Sequence, residues 1–279
     1  MSEFLLYPAI DLRNGQAVRL FKGDYDQMTV YDSDPASVAV RFKEAGAKFL
    51  HVVDLDGAKE GSQQNRPVIE AIVKATRLPV QVGGGIRNGE TLEALFSLGV
   101  ARAILGTAAV NEPEFVRAAL KEYGEKIAIG IDAKDGMVAV NGWLETSAIT
   151  AIDLGRELKG AGATRVIFTD ISRDGTLTGP NIPAIVEMAE KTGLGVIASG
   201  GIKETNDLLE LAKFRGKGVI GSIIGKAIYN GNIELRDAIR EVYAALGTSN
   251  AIQDGNEALG LPPQETQGSA ASVSTEGRA

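Results

Sequence analysis

A closed α/β barrel of eight βα units, a (β/α)8 fold with a two-fold half-barrel repeat, is the fold class this sequence predicts, and three observations predict it. Eight short apolar or β-branched runs recur along the chain, each followed by a polar or Gly-rich loop and an amphipathic stretch. The 279 residues, 44% of them hydrophobic, are enough for one such barrel with a full core. Three segments of the first half return in the same order in the second, about 120 residues later. An open doubly wound sheet is the competing arrangement, but eight units in a chain of this length favour closure.

Taken in order, the strands are expected at Phe4–Ile10, Phe49–Val53, Pro79–Val82, Ala101–Leu105, Ile127–Ile131, Val166–Thr169, Gly195–Ala198 and Val219–Ile224. Helices are expected between them. Pro35 after Asp34, Pro113 after Glu112 and Pro183 after Ile182 mark first turns, where a proline costs no hydrogen bond. The repeat pairs Val80–Arg87 with Val196–Lys203, Ile10–Gly15 with Ile131–Gly136, and Ile104–Ala108 with Ile223–Ala227. The barrel is expected over 1–247. From Thr248 to Ala279 the pattern stops, and a segment rich in Gly, Ser, Gln, Thr and Pro is expected to be a disordered tail.

Charge and composition exclude several functions. A net charge of -7 gives no general attraction to nucleic acid or anionic lipid, so an anion must meet a local site. With 0 cysteines there are no disulfides, thiolate metal sites or cysteine nucleophiles, and a reducing cytoplasm is expected. His51 is the single histidine, so no metal site is expected. Glu3 and Pro8 interrupt the N-terminal apolar run, which reads as neither signal peptide nor membrane span. The expectation is a cytoplasmic monomer acting on a small molecule, with no nucleic acid or membrane partner.

In such barrels the loops at the C-terminal ends of the strands build the active site. Asp11 and Asp132 follow the first and fifth strands at repeat-related positions, and so face each other across the mouth. Two carboxylates on opposite sides of one small ligand suit paired acid and base catalysis. Capping of the Asn14-Gly15 and Asp135-Gly136 turns is the structural alternative. Gly84 and Gly85, with Gly106 and Thr107, and Gly200 and Gly201, with Gly225 and Lys226, form two sets of glycine loops on consecutive strands. Backbone N–H groups freed of Cβ crowding can converge there on a phosphate. Two copies on opposite rims predict a long substrate phosphorylated at both ends.

Pro8-Ala9-Ile10-Asp11, His51–Ala58, Val82–Arg87, Gly142-Trp143, Thr169–Thr176 and Ser199–Ile202 resemble, in order and placement, an isomerase family of histidine biosynthesis. That family converts phosphoribosylformimino aminoimidazole carboxamide ribotide to its ribulosyl form, and the resemblance covers about Phe4 to Leu246. It implies a (β/α)8 TIM barrel, a bisphosphate substrate and a cofactor-free Amadori rearrangement, with Asp11 as general base and Asp132 as general acid. An aspartic acid that delivers a proton near neutral pH needs its pKa raised from about 3.9.

Further substrate contacts are expected at Thr169 and Asp174 by the same resemblance, an ordinary Asp174-Gly175 turn being the alternative. Trp143 is expected to stack on the substrate's imidazole, unless it simply packs in its loop. His51 points into the mouth or is a structural histidine, and Arg19 and Arg87 supply charge or lie on the surface. The sister cyclase family typically carries Cys at the position of Ala9. A dual-specificity isomerase that also accepts phosphoribosyl anthranilate would share both aspartates. A non-catalytic phosphosugar-binding barrel would have no need of them.

Overall fold

The structure, a computed structural model, describes residues 3–21, 23–140, 142–143 and 145–247; the expected tail at 248–279 lies outside them. Strand β1 (Leu5–Arg13) runs directly into a hairpin, β2 (Gln16–Phe21) and β3 (Asp24–Asp32), before helix α1 (Pro35–Glu44). Next come β4 (Leu50–Asp54) with α2 (Leu55–Glu60) and α3 (Arg66–Thr76), then β5 (Val80–Gly83) with α4 (Gly89–Ser97). β6 (Arg102–Leu105), the single turn α5 (Ala108–Asn111) and α6 (Pro113–Tyr123) complete the first half.

The second half repeats the plan. β7 (Ile127–Lys134) enters the hairpin β8 (Met137–Val140) and β9 (Glu145–Thr150), followed by α7 (Ala151–Gly160). β10 (Arg165–Asp170) and α8 (Ile182–Thr192), β11 (Gly195–Ser199) and α9 (Thr205–Ala212), then β12 (Val219–Ile224), the single turn α10 (Lys226–Tyr229) and α11 (Leu235–Ala245) finish it.

Strands β1, β4, β5, β6, β7, β10, β11 and β12 pair in parallel in that order. β12 returns to β1 from Leu5↔Gly221 to Pro8↔Ile224, so the sheet closes. The fold is the expected (β/α)8 barrel. Because every barrel strand is covered on both faces, both faces are built mainly of apolar residues. Leu5, Tyr7 and Ala9 of β1 fill the interior with Phe49, Ile104, Ile167, Ile197 and Ile223, while Leu6 and Ile10 face the helix layer with Leu50, Val82 and Leu105.

The helices start where the prolines say. Pro35, Pro113 and Pro183 all lie in first turns, and Asp34 caps α1 by accepting from Ala36 N and Ser37 N. Such a cap contributes about 1 kcal/mol. Val38, Ala39 and Phe42 then bury one face of α1 against the barrel.

Two features differ from expectation. Strand boundaries move by one or two residues at most sites, but β1 and β7 extend three residues further, to Arg13 and Lys134. Asp11 and Asp132 therefore lie within strands rather than after them. The cause is the pair of hairpins: Asn14-Gly15 and Asp135-Gly136, with φ of 50°, 77°, 51° and 80°, make two-residue turns that fold β2 back on β1 and β8 back on β7.

Candidate active site

At the C-terminal mouth one cavity of about 280 Å³ is lined by residues from all eight barrel strands or their loops. All sixteen residues singled out from the sequence border it, from Gly84, Gly85, Gly106 and Thr107 on one rim to Gly200, Gly201, Gly225 and Lys226 on the other. Asp11, Arg19, His51, Arg87, Asp132, Trp143, Thr169 and Asp174 line the same cavity.

The two aspartates have unlike surroundings. Asp11 is paired in register with Val53 of β4 and Val18 of β2, and Arg19, one residue beyond Val18, places its guanidinium against it. Arg19 Nη1 donates to Asp11 Oδ2 at 2.7 Å and Nη2 to the Ala9 carbonyl at 3.1 Å. The Tyr229 hydroxyl donates to that carbonyl too, and Arg19 lies over the Tyr229 ring, 5.5 Å from its centre. Burial pushes the Asp11 carboxyl above its ordinary pKa, with Arg19 pulling it back down.

Asp132, in register with Thr169, is met by neutral donors: Trp143 Nε1 at 2.8 Å on Oδ2, and the Thr169 side chain. Burial raises its pKa and these two hydrogen bonds oppose the rise without a cation's help. The indole expected to stack on a substrate ring therefore also holds Asp132. Asp174 adds a third carboxyl to the cavity. Burial raises its pKa to about 6, Arg19 works against this, and Asp11 and Asp132 reinforce it.

The rims are built from backbone. Gly84 and Gly85 have φ of 97° and 72°, and a Cβ on either would overlap the carbonyl of Asp54 or Gly57. Gly200 and Gly201, at 89° and 88°, approach the carbonyls of Asp170 and Gly179 in the same way. The single turns α5 and α10 begin beside them, and the first N–H groups of a helix have no partner within it. Both rims can thus present N–H groups to an anion. Lys226 Nζ reaches the Gly175 carbonyl at 2.8 Å, and a Cβ at Gly225 would meet the Arg19 guanidinium.

Behind each glycine pair stands an Asp–Asn brace that sequence reasoning does not single out. Asn65 Nδ2 donates to Asp54 Oδ1 at 2.6 Å, and Asp54 also accepts from the backbone N–H of Gly57, Gln64 and Asn65. On the other side Asn181 Nδ2 donates to Asp170 Oδ2 at 2.7 Å. Both braces span eleven residues, a spacing visible only when the halves are aligned. Tyr25 of β3 also lines the cavity, its hydroxyl donating to the Leu55 carbonyl at 2.9 Å. Among the described residues, no group of three or more His, Cys, Asp or Glu could hold a metal, and no helix is long and apolar enough to cross a membrane.

Fold and cavity together define a (β/α)8-barrel protein whose mouth holds three carboxyl groups between two glycine-lined rims. The chain belongs to the histidine biosynthesis protein family, whose model matches residues 5–234. It is 52% identical over 238 residues to 1-(5-phosphoribosyl)-5-((5-phosphoribosylamino)methylideneamino) imidazole-4-carboxamide isomerase of Syntrophomonas wolfei, covering 85% of this chain and 98% of that one. The isomerases of the same name from Bacillus pumilus and Bacillus subtilis are 53% and 51% identical, over 86% and 87% of this chain and 98% and 99% of theirs.

Proposed function

We propose that this enzyme is the aldose–ketose isomerase of histidine biosynthesis, carrying the aminoaldose ribotide named in its relatives to the aminoketose by an Amadori rearrangement. The observation that carries the reading is the unlike pair in one cavity: Asp11 against a cation and Asp132 against neutral donors only. Environments that differ in this way separate a base from an acid. Asp132 protonates the ribose ring oxygen, and the ring opens to a Schiff base. Asp11 then removes the C2 proton, and the enolamine tautomerises to the ketoamine. The two phosphates rest on Gly84–Gly85 with Gly106–Thr107 and on Gly200–Gly201 with Gly225–Lys226. His51, Arg87, Thr169 and Asp174 contact the substrate between them.

The experiment is turnover of the ribotide by Asp11→Asn and Asp132→Asn. Each keeps the shape of the side chain and loses its proton chemistry, so each is expected to fall by about 10²–10⁴ with folding retained. Activity within about tenfold of the parent removes that residue from its role.

A second assignment of the acid is favoured by one observation: the Asp174 carboxyl holds its proton to about 6. If Asp174 opens the ring, Asp174→Asn abolishes turnover and Asp132→Asn only weakens it. Substrate range follows from the shared cavity, since a one-phosphate ligand leaves one cradle empty. The bisphosphate ribotide is preferred over phosphoribosyl anthranilate by about 10² or more in kcat/KM, the value of roughly 3 kcal/mol of phosphate contacts. A cytoplasmic monomer completes the reading, with 0 cysteines in support of the reducing compartment.

A further inference from the structure

Beneath the two aspartates, three buried polar side chains cross adjacent strands. His51 of β4 is in register with Gln81 of β5, and Gln81 with Arg102 of β6. Arg102 is 1% exposed and lies under Phe49, its guanidinium carbon 4.7 Å from the ring centre. Arg102 Nη1 donates to Gln81 Oε1 at 2.8 Å, and Gln81 Nε2 stands 3.0 Å from His51 Nδ1.

The chemistry of the three groups orders every proton in this chain. A guanidinium has donors and no acceptor, so the Gln81 oxygen must face Arg102. The Gln81 amide NH2 is then turned to His51 and can only donate. His51 Nδ1 must therefore accept, and in a neutral imidazole the ring proton belongs to Nε2. His51 lines the cavity, so with Nδ1 engaged below, Nε2 is the ring nitrogen left to meet a ligand.

We propose that Arg102 and Gln81 are positioning residues that lock His51 as a neutral Nε2–H imidazole, and that this N–H donates to a sugar oxygen as the enolamine forms. The proposal rests on the isomerase reading for the second clause only. The charged groups around the ring favour the neutral form. Arg19 faces it from β2 and carries Asp11 as its counter-ion, and Arg102 lies one residue away through Gln81. Burial and Arg19 hold the pKa of His51 down at about 3, so no imidazolium forms near neutrality. The electrons of the broken C2–H bond pass to the Schiff-base nitrogen, so the oxygen on the reacting carbon stays a neutral hydroxyl. A neutral N–H suits it, because it fixes that hydroxyl's position for proton removal without surrendering its own proton.

The chain's single histidine makes the test direct. In 15N-histidine-labelled enzyme, long-range proton–nitrogen correlation is expected to show one imidazole, with a pyridine-like Nδ1 and a pyrrole-like Nε2, unchanged from pH 5 to pH 9. The reverse tautomer, a mixture, or titration within that range overturns the lock. Gln81→Glu retains a partner for Arg102 but presents a carboxylate to His51, so the proton is expected to move to Nδ1 or both nitrogens to be protonated. The kcat is then expected to fall at least about tenfold, with inorganic phosphate binding unchanged. Gln81→Met, which holds neither state, should give mixed tautomers and an intermediate kcat. A switched tautomer with unaltered kcat overturns the catalytic clause. An unmodified enzyme that shows the tautomer and does not turn over the ribotide instead defeats the isomerase reading and leaves the lock standing.

Discussion

Trp143 donates its indole N–H to Asp132 Oδ2 at 2.8 Å from a backbone position with φ of 70°. A bulky residue in the left-handed region costs about 1–3 kcal/mol, and such strain persists where surrounding contacts over-determine it. One of those contacts is Gly23 at the other hairpin's tip, where any Cβ would run into the indole. Trp143→Phe keeps the ring and removes the donor. The Asp132 pKa, which that hydrogen bond lowers, should rise. An acid must be protonated to work, so the alkaline limb of kcat/KM is expected to move to higher pH. A limb that stays in place would separate Trp143 from the acid.

Arg19 works on the opposite group. Replacing it with Met removes the cation that lowers the Asp11 pKa, which then rises further under burial. A base must be ionised, so the acidic limb of the pH–rate profile should move to higher pH. Turnover at pH 7 is expected to fall by about 10–100-fold, in line with the worth of a general base, and to recover partly in alkaline buffer. Arg19→Lys, which keeps charge but not the fork spanning Asp11 and the Ala9 carbonyl, should lie between. A uniform loss at every pH would assign Arg19 to structure.

The rim glycines are unequal, although the sequence presents them alike. Gly84→Ala forces a Cβ into the Asp54 carbonyl at a φ of 97°, and should cost about 1–3 kcal/mol and raise KM. Gly106→Ala meets nothing within 4 Å at an ordinary φ, so stability within about 0.5 kcal/mol of the parent is expected. Chemical denaturation of the two variants side by side checks both.

Asp174 links activity to stability. Its folded pKa of about 6 lies above the 3.8 of a free carboxyl. The folded state therefore binds the proton more tightly than the unfolded one. Stability is greatest below the unfolded pKa and is lost as pH rises from about 4 to about 6. Asp174→Asn abolishes that penalty. Its melting midpoint should match the parent near pH 4 and exceed it above pH 6, by a margin worth about 1–3 kcal/mol. Equal midpoints across that range would show that Arg19 and Lys226 already compensate the charge.

The barrel strands are legible because burial on both faces turns each into a short continuous apolar run, as in Val219–Ile224, whose bounds match residue for residue. The hairpins are not, although Asn14-Gly15 and Asp135-Gly136 carry the strongest short-range signal for them. Their outer strands, β3 and β9, carry no buried residue and are mixed in polarity, so both read as loop. Asp11, Asp132 and the glycine pairs are legible through the repeat. Gln81 and Arg102 are hidden for a simple reason: a polar residue inside a barrel strand looks like a strand's solvent face until closure puts it indoors.

The hairpins also explain how a two-fold structure performs a one-sided reaction. Two equal half-barrels deliver two equal aspartates, two glycine pairs and two braces, and symmetry of that kind cannot tell donor from acceptor. The symmetry is broken outside the barrel: the first hairpin brings a guanidinium to Asp11, and the second brings an indole to Asp132. On the proposed roles, the division of labour resides in two ribbons whose inner residues Ala17, Val138 and Val140 are buried in the core, while Arg19 and Trp143 turn to the aspartates. If Asp11 is the base and Asp132 the acid, as proposed, exchanging what the ribbons carry is expected to exchange which half gives the proton and which half takes it.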